Sequence, residues 1–360
     1  MRIALIQRFL PSRSRGGVGY FTHGLAHALS KRGHEVTVFS QDPAPEDAAY
    51  QVRRISSGGI SEKWLPLAFP FQIACQDFSG FDILNAQGDD QWISGRQAPP
   101  RVRTLHGAAL LEAYFNGIRN CSLKHFLLHS YFYACEWIAD LKADRVVAVS
   151  KDTKRYYPRV HEIIGNGIDL ALFKPPLFSE KTSYPSILFV GELGTRKRGS
   201  LLVKTFEKWL RPSFPSCELW LVSPEKIEGP GLRCFENLST PELVKLYQKV
   251  WVFCLPSSYE GFGRPYVEAM ACGTPVVASP NPGAREILEN GLYGLLAEDR
   301  SLGEVLLELL RDADRRQEMS RRGLERAKNY GWDVIALQYE RLYEDLLKMS
   351  FKKGKSSQLV

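Results

Sequence analysis

The sequence predicts an α/β protein made of two doubly wound units, each built on a parallel sheet. Short β-branched runs alternate with longer amphipathic stretches almost from end to end, the pattern of parallel α/β sheets. The alternation starts afresh after a proline-marked connection, Lys174-Pro175-Pro176. A chain of 360 residues is also too long for one typical domain and about right for two.

In order, Arg2–Gln7 reads as a strand and Tyr20–Arg32 as a helix stopped by Gly33, with His34–Ser40 as the next strand. Phe81–Asn85, Arg101–Leu105 and Arg145–Val149 are further short apolar runs, and Ser122–Lys142 has helical periodicity. After Asn166-Gly167-Ile168-Asp169 the strands Ser186–Val190, Glu218–Val222, Val250–Leu255 and Pro275–Ser279 interleave with helices over Pro241–Lys249 and Pro265–Cys272. A last amphipathic helix spans Asp333–Met349, anchored by Trp332. Residues 1–165 form the first domain, completed by the helix at about 336–350. Residues 166–335 form the second, and 351–360 are expected as a flexible tail.

Composition narrows the class. Hydrophobic content of 44% with 24% charged residues suits a soluble protein with a full core in each half. The seven cysteines are scattered with no C-x-x-C pair, as small buried hydrophobes are, and fit a reducing, cytoplasmic compartment. The N-terminal apolar run is too short for a signal peptide, and no stretch approaches the ~20 apolar residues of a membrane span. A net charge of +7, spread along the chain, suits an anionic substrate or an anionic membrane surface. No ordered basic and aromatic platform for nucleic acid is present.

The most informative stretch runs from Pro256 to Pro275. It reads as a strand end, a glycine loop, and a helix begun by Pro265 and ended near Gly273. The loop glycines let backbone N–H groups approach a ligand, and the helix N-terminus favours an anion. Glu260 and Glu268 stand eight positions apart, one in the loop and one in the helix, where both can accept hydrogen bonds from the paired hydroxyls of a hexose and a ribose.

This stretch resembles the E-x7-E signature of retaining family-4 glycosyltransferases of the GT-B fold, and Ala271–Ser279 resembles the segment that follows it there. The resemblance implies two Rossmann-like domains facing each other across a cleft, the last helix crossing back to the N-terminal domain. That domain would take the acceptor and the second domain a UDP- or GDP-sugar donor, with no cofactor. Carried over, Glu260 meets the hexose and Glu268 the ribose, while the amides of Gly261, Phe262, Gly263 and Arg264 meet sugar hydroxyls and phosphate. Gly16-Gly17-Val18-Gly19 alone is as readily a tight turn as a ligand loop. By resemblance, Gly16 and Gly17 close on donor phosphate and acceptor.

In Gly191-Glu192-Leu193-Gly194-Thr195-Arg196-Lys197-Arg198-Gly199 the family supplies an Arg and a Lys to the diphosphate. Glu192 stands where the Arg is common, and the Lys falls on Lys197 or Arg198. His106, ending the strand Val102–Leu105, is where relatives hold the sugar near the reacting carbon. Asn166-Gly167 reads as a turn and hinge. Asp312-Ala313-Asp314 spells a metal-binding D-x-D of another glycosyltransferase fold, but among Arg311, Arg315 and Arg316 it reads as helix surface or junction, so no metal is expected.

The expected activity is retaining, metal-independent transfer of a hexose to a glycan or lipid-linked acceptor. Two other classes remain open. A non-catalytic nucleotide-sugar-binding protein would account for Glu192. A dinucleotide-dependent oxidoreductase would use Gly16–Gly19 with Asp42 on a ribose, although Thr22 stands where its third glycine belongs. Arg53, Arg54, Lys63–Phe71 and the aromatic run Phe126–Trp137 either fill the N-terminal core or rest the protein on the inner membrane face.

Overall fold

The computed structural model describes residues 1–11, 17–61, 64–94, 98–112, 123–177 and 181–356. The chain divides into two compact units, Met1–Gly167 with Trp332–Val360, and Ile168–Gly331.

In the first unit the order is β1 (Arg2–Ile6), α1 (Gly17–Lys31), β2 (Glu35–Ser40), β3 (Gln51–Arg54), α2 (Leu65–Ala74), β4 (Ile83–Ala86), β5 (Arg101–Leu105), α3 (Ala109–Glu112), α4 (Leu123–Lys142), β6 (Arg145–Ala148), α5 (Lys151–Tyr156) and β7 (Glu162–Ile163). The strands pair in parallel in the order β3-β2-β1-β4-β5-β6-β7, with Ile3 opposite Val36 and Ile83. Central strands such as β5 are buried along their whole length, as a sheet covered on both faces requires.

Phe21, Leu25 and Leu29, at helical spacing on α1, pack with Leu5, Val36 and Val38. The same core takes Ile335, Tyr339, Leu342, Tyr343 and Leu346 from the last helix of the chain. Tyr343 Oη accepts from Asn85 Nδ2 at 2.6 Å, and Glu340 accepts from Arg32 Nε at 2.9 Å. At the sheet's centre Arg103 is buried between Asp90 and Asp140, an ionic layer on which α4 docks. Burial drives Asp140 up to about 7, against the pull of Arg103.

The second unit comprises β8 (Ser186–Val190), α6 (Gly199–Thr205), a π turn (Phe206–Leu210) leading into α7 (Arg211–Ser213), β9 (Glu218–Val222), β10 (Leu232–Phe235), α8 (Thr240–Lys249), β11 (Val252–Leu255), α9 (Arg264–Ala271), β12 (Val276–Ala278), α10 (Pro282–Ile287), β13 (Leu295–Leu296), α11 (Leu302–Arg311) and α12 (Ala313–Lys328). Its parallel sheet has the order β10-β9-β8-β11-β12-β13. Strand order therefore reverses beside β8, and the crevice at the carboxyl ends of β8 and β11 is where such sheets hold ligands. The helix α13 (Trp332–Ser356) then belongs to the first unit.

The unit boundaries fall at 167/168 and 331/332, a few residues from those expected, because Trp332 commits to the first unit. Its indole lies flat on Gly24 and Gly167, where a Cβ on either glycine would collide with it. Ile168 pairs with Gly331 in a parallel bridge, so the two crossings of the chain run side by side. The tail expected from 351 needs correction. Helix α13 continues to Ser356, and 357–360 lie outside the described residues.

Asp312 caps α12, accepting from Arg315 N at 2.8 Å, so the D-x-D tripeptide is a helix junction. Asp42 is fully buried and accepts from Leu10 N at 2.9 Å, which occupies it with loop structure. Cys135, Cys217, Cys254 and Cys272 are buried, and Cys75 is exposed. Among the described residues no helix is long and apolar enough to cross a membrane.

The membrane-facing candidates divide. Tyr133 and Trp137 pack by Tyr157, while Trp64, Phe71, Leu123, Leu127 and Tyr131 are exposed. Arg53 lies over the Phe39 ring and Arg54 donates to Gln41 O. Lys63 lies outside the described residues.

Candidate active site

Two loops at the carboxyl ends of β8 and β11 build the centre of the second unit. After β8 the chain turns at Gly191, whose φ of +147° only glycine adopts readily, and the Lys197 side chain packs across it. After β11 the segment Pro256–Gly263 is tied to the first loop. Ser258 N donates to Arg196 O at 2.8 Å, and the hydroxyls of Ser257 and Ser258 donate to the same oxygen at 3.1 Å.

Gly263 (φ +96°) starts α9 in a left-handed conformation, and a Cβ there would strike the Tyr266 ring. From below, Gly283 N donates to Glu260 O at 3.1 Å, and a Cβ on Gly283 would meet Glu260 O at 2.6 Å. Gly261, Phe262, Gly263 and Arg264 thus line the start of α9, with Phe262 edge-on to Tyr330.

Glu260 is only 6% exposed. Its Oε1 lies 2.9 Å from Arg196 Nη1 and 3.6 Å from Lys197 Nζ. Burial alone would raise its pKa. Lys197 and Arg196, together with hydrogen bonds from Arg196 and Ser257, outweigh that and hold it below the usual glutamate range. The result is a buried, ionised carboxylate with two cations beside an approachable backbone.

One turn into α9, Glu268 is also buried. Its Oε1 lies 2.7 Å from Arg264 Nε, and its Oε2 accepts from the Tyr247 hydroxyl at 3.2 Å. A carboxylate has about four lone-pair sites, so Glu268 keeps acceptor capacity for a ligand hydroxyl.

Arg198, expected at the diphosphate, is turned elsewhere. It adopts a left-handed backbone (φ +56°), donates from Nε to Pro256 O at 2.6 Å, and forks onto Asp299 at 2.8 and 2.9 Å. Its Nη2 also donates to Ser279 Oγ at 2.8 Å. The residue that joins Lys197 at Glu260 is Arg196, which the sequence reading did not single out. A lone charged residue in a basic run carries no signal of direction, and only the fold gives it one.

In the first unit His106 follows β5. Its Nε2 donates to Gln87 Oε1 at 2.8 Å, and its ring meets Phe21 edge-on. Burial, then the nearby Arg103, pull its pKa down to about 3, so the imidazole is neutral at physiological pH. Gln87 gave no signal in the sequence. Gly17 opens α1, while Gly16 lies outside the described residues.

Comparison with known proteins identifies the family and the fold. The family description "Glycosyl transferases group 1" matches residues 174–326, and "Glycosyltransferase Family 4" matches residues 15–172. The chain is 33% identical over 405 residues to a D-inositol 3-phosphate glycosyltransferase of Thermobispora bispora, covering 92% of this chain and 90% of that protein. Among solved structures it is similar to sucrose-phosphate synthase from Thermosynechococcus elongatus, with a TM-score of 0.76, 23% identity, and coverage of 97% and 99% of the two chains. It is also similar to Anabaena HepE in complex with UDP-glucose, with a TM-score of 0.73, 17% identity, and coverage of 96% and 100%. With two Rossmann-like parallel sheets and the two-glutamate loop on the second of them, the chain belongs to the family-4 glycosyltransferases, the glycosyl transferases group 1, of the GT-B fold.

Proposed function

We propose that the protein transfers a hexose, with retention of configuration and without a metal, from a UDP- or GDP-sugar to a hydroxyl of a glycan or lipid-linked acceptor. The observation that carries this is the ionised Glu260 held between Arg196 and Lys197 at the start of α9.

A diphosphate leaving group needs its growing charge stabilised, and fixed cations with a helix N-terminus supply that in a water-poor site. Lys197 and Arg196 take this role, while Arg198 holds the loops. As the diphosphate draws the two cations toward itself, the Glu260 carboxylate becomes available to the hexose hydroxyls. Glu268 accepts from the ribose. The acceptor hydroxyl attacks the anomeric carbon on the face the diphosphate leaves, and the leaving phosphate takes its proton, so no protein nucleophile is needed. Neutral His106, held by Gln87, orients the sugar by hydrogen bonding.

That HepE is recorded with UDP-glucose supports a nucleotide-sugar donor for this relative. The exposed apolar side chains of α4 and α2 support a peripheral position on the cytoplasmic membrane face.

A thermal-shift screen against UDP, GDP and their sugar conjugates tests the donor, because a ligand well above its Kd raises the melting temperature. Proton NMR of the sugar product tests retention. The reading expects an α-anomer from an α-linked donor, and a β-product or no nucleotide-dependent shift would overturn it.

A further inference from the structure

Beside the loop that carries Glu260, the carboxyl ends of β11, β12 and β13 form an open cavity of about 610 Å³ lying wholly within the second unit. Its volume is that of a small-molecule site. Its walls are mixed, hydroxyls, carboxylates and guanidinium groups sharing them about equally with apolar surface, as the polar edges and apolar faces of a sugar ring require.

The charges are paired. Arg198 forks onto Asp299, and Arg300 Nη2 lies 3.2 Å from Glu298 Oε2. A lining neutralised pair by pair gives no net attraction to an ion. It offers instead closely spaced acceptors and donors in alternation, which suits a ligand dense in uncharged hydroxyls. Asp299 and Arg300 remain 56% and 87% exposed, so their outer faces are open to such a ligand.

The wall behind them is rigid. Asn281 is buried, its Oδ1 accepting from Ala284 N at 2.9 Å and its Nδ2 donating to Ser257 O and to the Tyr266 hydroxyl, both at 3.0 Å. Arg198 keeps a left-handed backbone that a non-glycine residue holds only where its surroundings over-determine it, and here four hydrogen bonds do so.

The cavity is also coupled to the loop that carries Glu260. Ser258 lines it two residues before Glu260, and its hydroxyl donates to the backbone oxygen of Arg196, whose side chain pairs with Glu260.

We propose that this cavity is a subsite for a neutral saccharide unit of the acceptor, remote from the hydroxyl that reacts. The assignment rests on the glycosyltransfer reading above. It implies that the acceptor is an oligosaccharide or carries one, since a single sugar would leave the subsite empty.

Maltohexaose, cellohexaose and α-1,6-mannohexaose are the probes, titrated calorimetrically into the full chain with UDP or GDP present. At least one should bind, and the double variant Glu298→Gln with Arg300→Gln should weaken it about tenfold or more, the loss of one or two hydrogen bonds. Both side chains are exposed, so folding is untouched, and UDP or GDP affinity should be unchanged. If no hexasaccharide binds to protein that does bind nucleotide, or if the variant binds it equally well, the subsite is overturned. Saccharide binding lost in the variant, in a protein that takes neither UDP nor GDP, would remove the donor reading and leave the saccharide site standing.

Discussion

Arg196 Nη1 stands 2.9 Å from Glu260 Oε1 while also donating to Tyr259 O at 2.5 Å, so one guanidinium fixes both the backbone and the carboxylate of the loop after β11. Arg196→Gln and Lys197→Met should each weaken UDP or GDP binding by roughly 1.5–3 kcal/mol, the range for hydrogen bonds to charged groups, and leave uridine or guanosine affinity alone. Glu260→Gln should instead tighten the nucleoside diphosphate, because the cations are no longer shared, while transfer falls. Calorimetry with nucleoside and nucleoside diphosphate separates these outcomes. Equal affinities across all three variants would remove the charge exchange.

Glu268→Ala should weaken nucleotide binding by roughly 1.5–3 kcal/mol through loss of a charged acceptor for the ribose. The 2′,3′-dideoxynucleotide provides the check. It should bind wild type and variant alike, and a variant defect that persists with it would assign Glu268 to Arg264 and Tyr247 alone.

The pKa of His106 is lowered to about 3 by burial and by Arg103. The unfolded chain, with an ordinary histidine near 6.5, takes up a proton that the folded chain refuses. Stability contributed by this group is therefore present above pH ~6.5 and lost as the pH falls toward 3. Melting curves should show a shallower acid loss in His106→Gln than in wild type over that window, while pH–rate profiles of the wild type should carry no His106 ionisation near neutrality. Parallel melting profiles would contradict this.

Asp312→Asn should keep full activity, since Asp312 is an N-cap and Asn is an equally good one. Asp312→Ala should cost about 1 kcal/mol of stability without lowering turnover at 25 °C. Turnover should also survive EDTA. Loss on chelation, restored by Mg²⁺ or Mn²⁺, would bring a metal into the mechanism.

Leu123, Leu127 and Tyr131 lie on one exposed face of α4, and Leu123 is 71% exposed. Flotation with anionic vesicles should carry the protein upward at low salt, and Leu123→Ser with Leu127→Ser should abolish this without changing donor hydrolysis. Added salt should weaken binding by screening whatever basic residues assist. Protein left at the bottom of a low-salt gradient would point to a soluble acceptor.

Much of the fold was legible because parallel strands buried on both faces write themselves as apolar runs, as Ile187–Phe189 and Val252–Leu255 do. The edge strands were not. Gln51–Arg54 and Leu232–Arg233 are exposed or half-buried and carry no such run. In the site, Glu260 and Glu268 were legible from spacing and loop chemistry. The division of labour among Arg196, Lys197 and Arg198 was not, since three consecutive cations differ only in the direction the backbone gives each. The left-handed turn at Arg198, which aims that side chain at Asp299, comes from tertiary bonds that no local pattern encodes.

The last helix has a consequence for biosynthesis. Ile335, Tyr339, Leu342, Tyr343 and Leu346 complete a core whose other half was made near the start of the chain, whereas Ile168–Gly331 is continuous. On the ribosome the later unit can therefore close first, while the earlier one waits with an open apolar seam between α1 and its sheet. A nascent chain halted before Trp332 should give a protease-resistant fragment from the second unit and a degraded first unit, the reverse of the order in which they were translated.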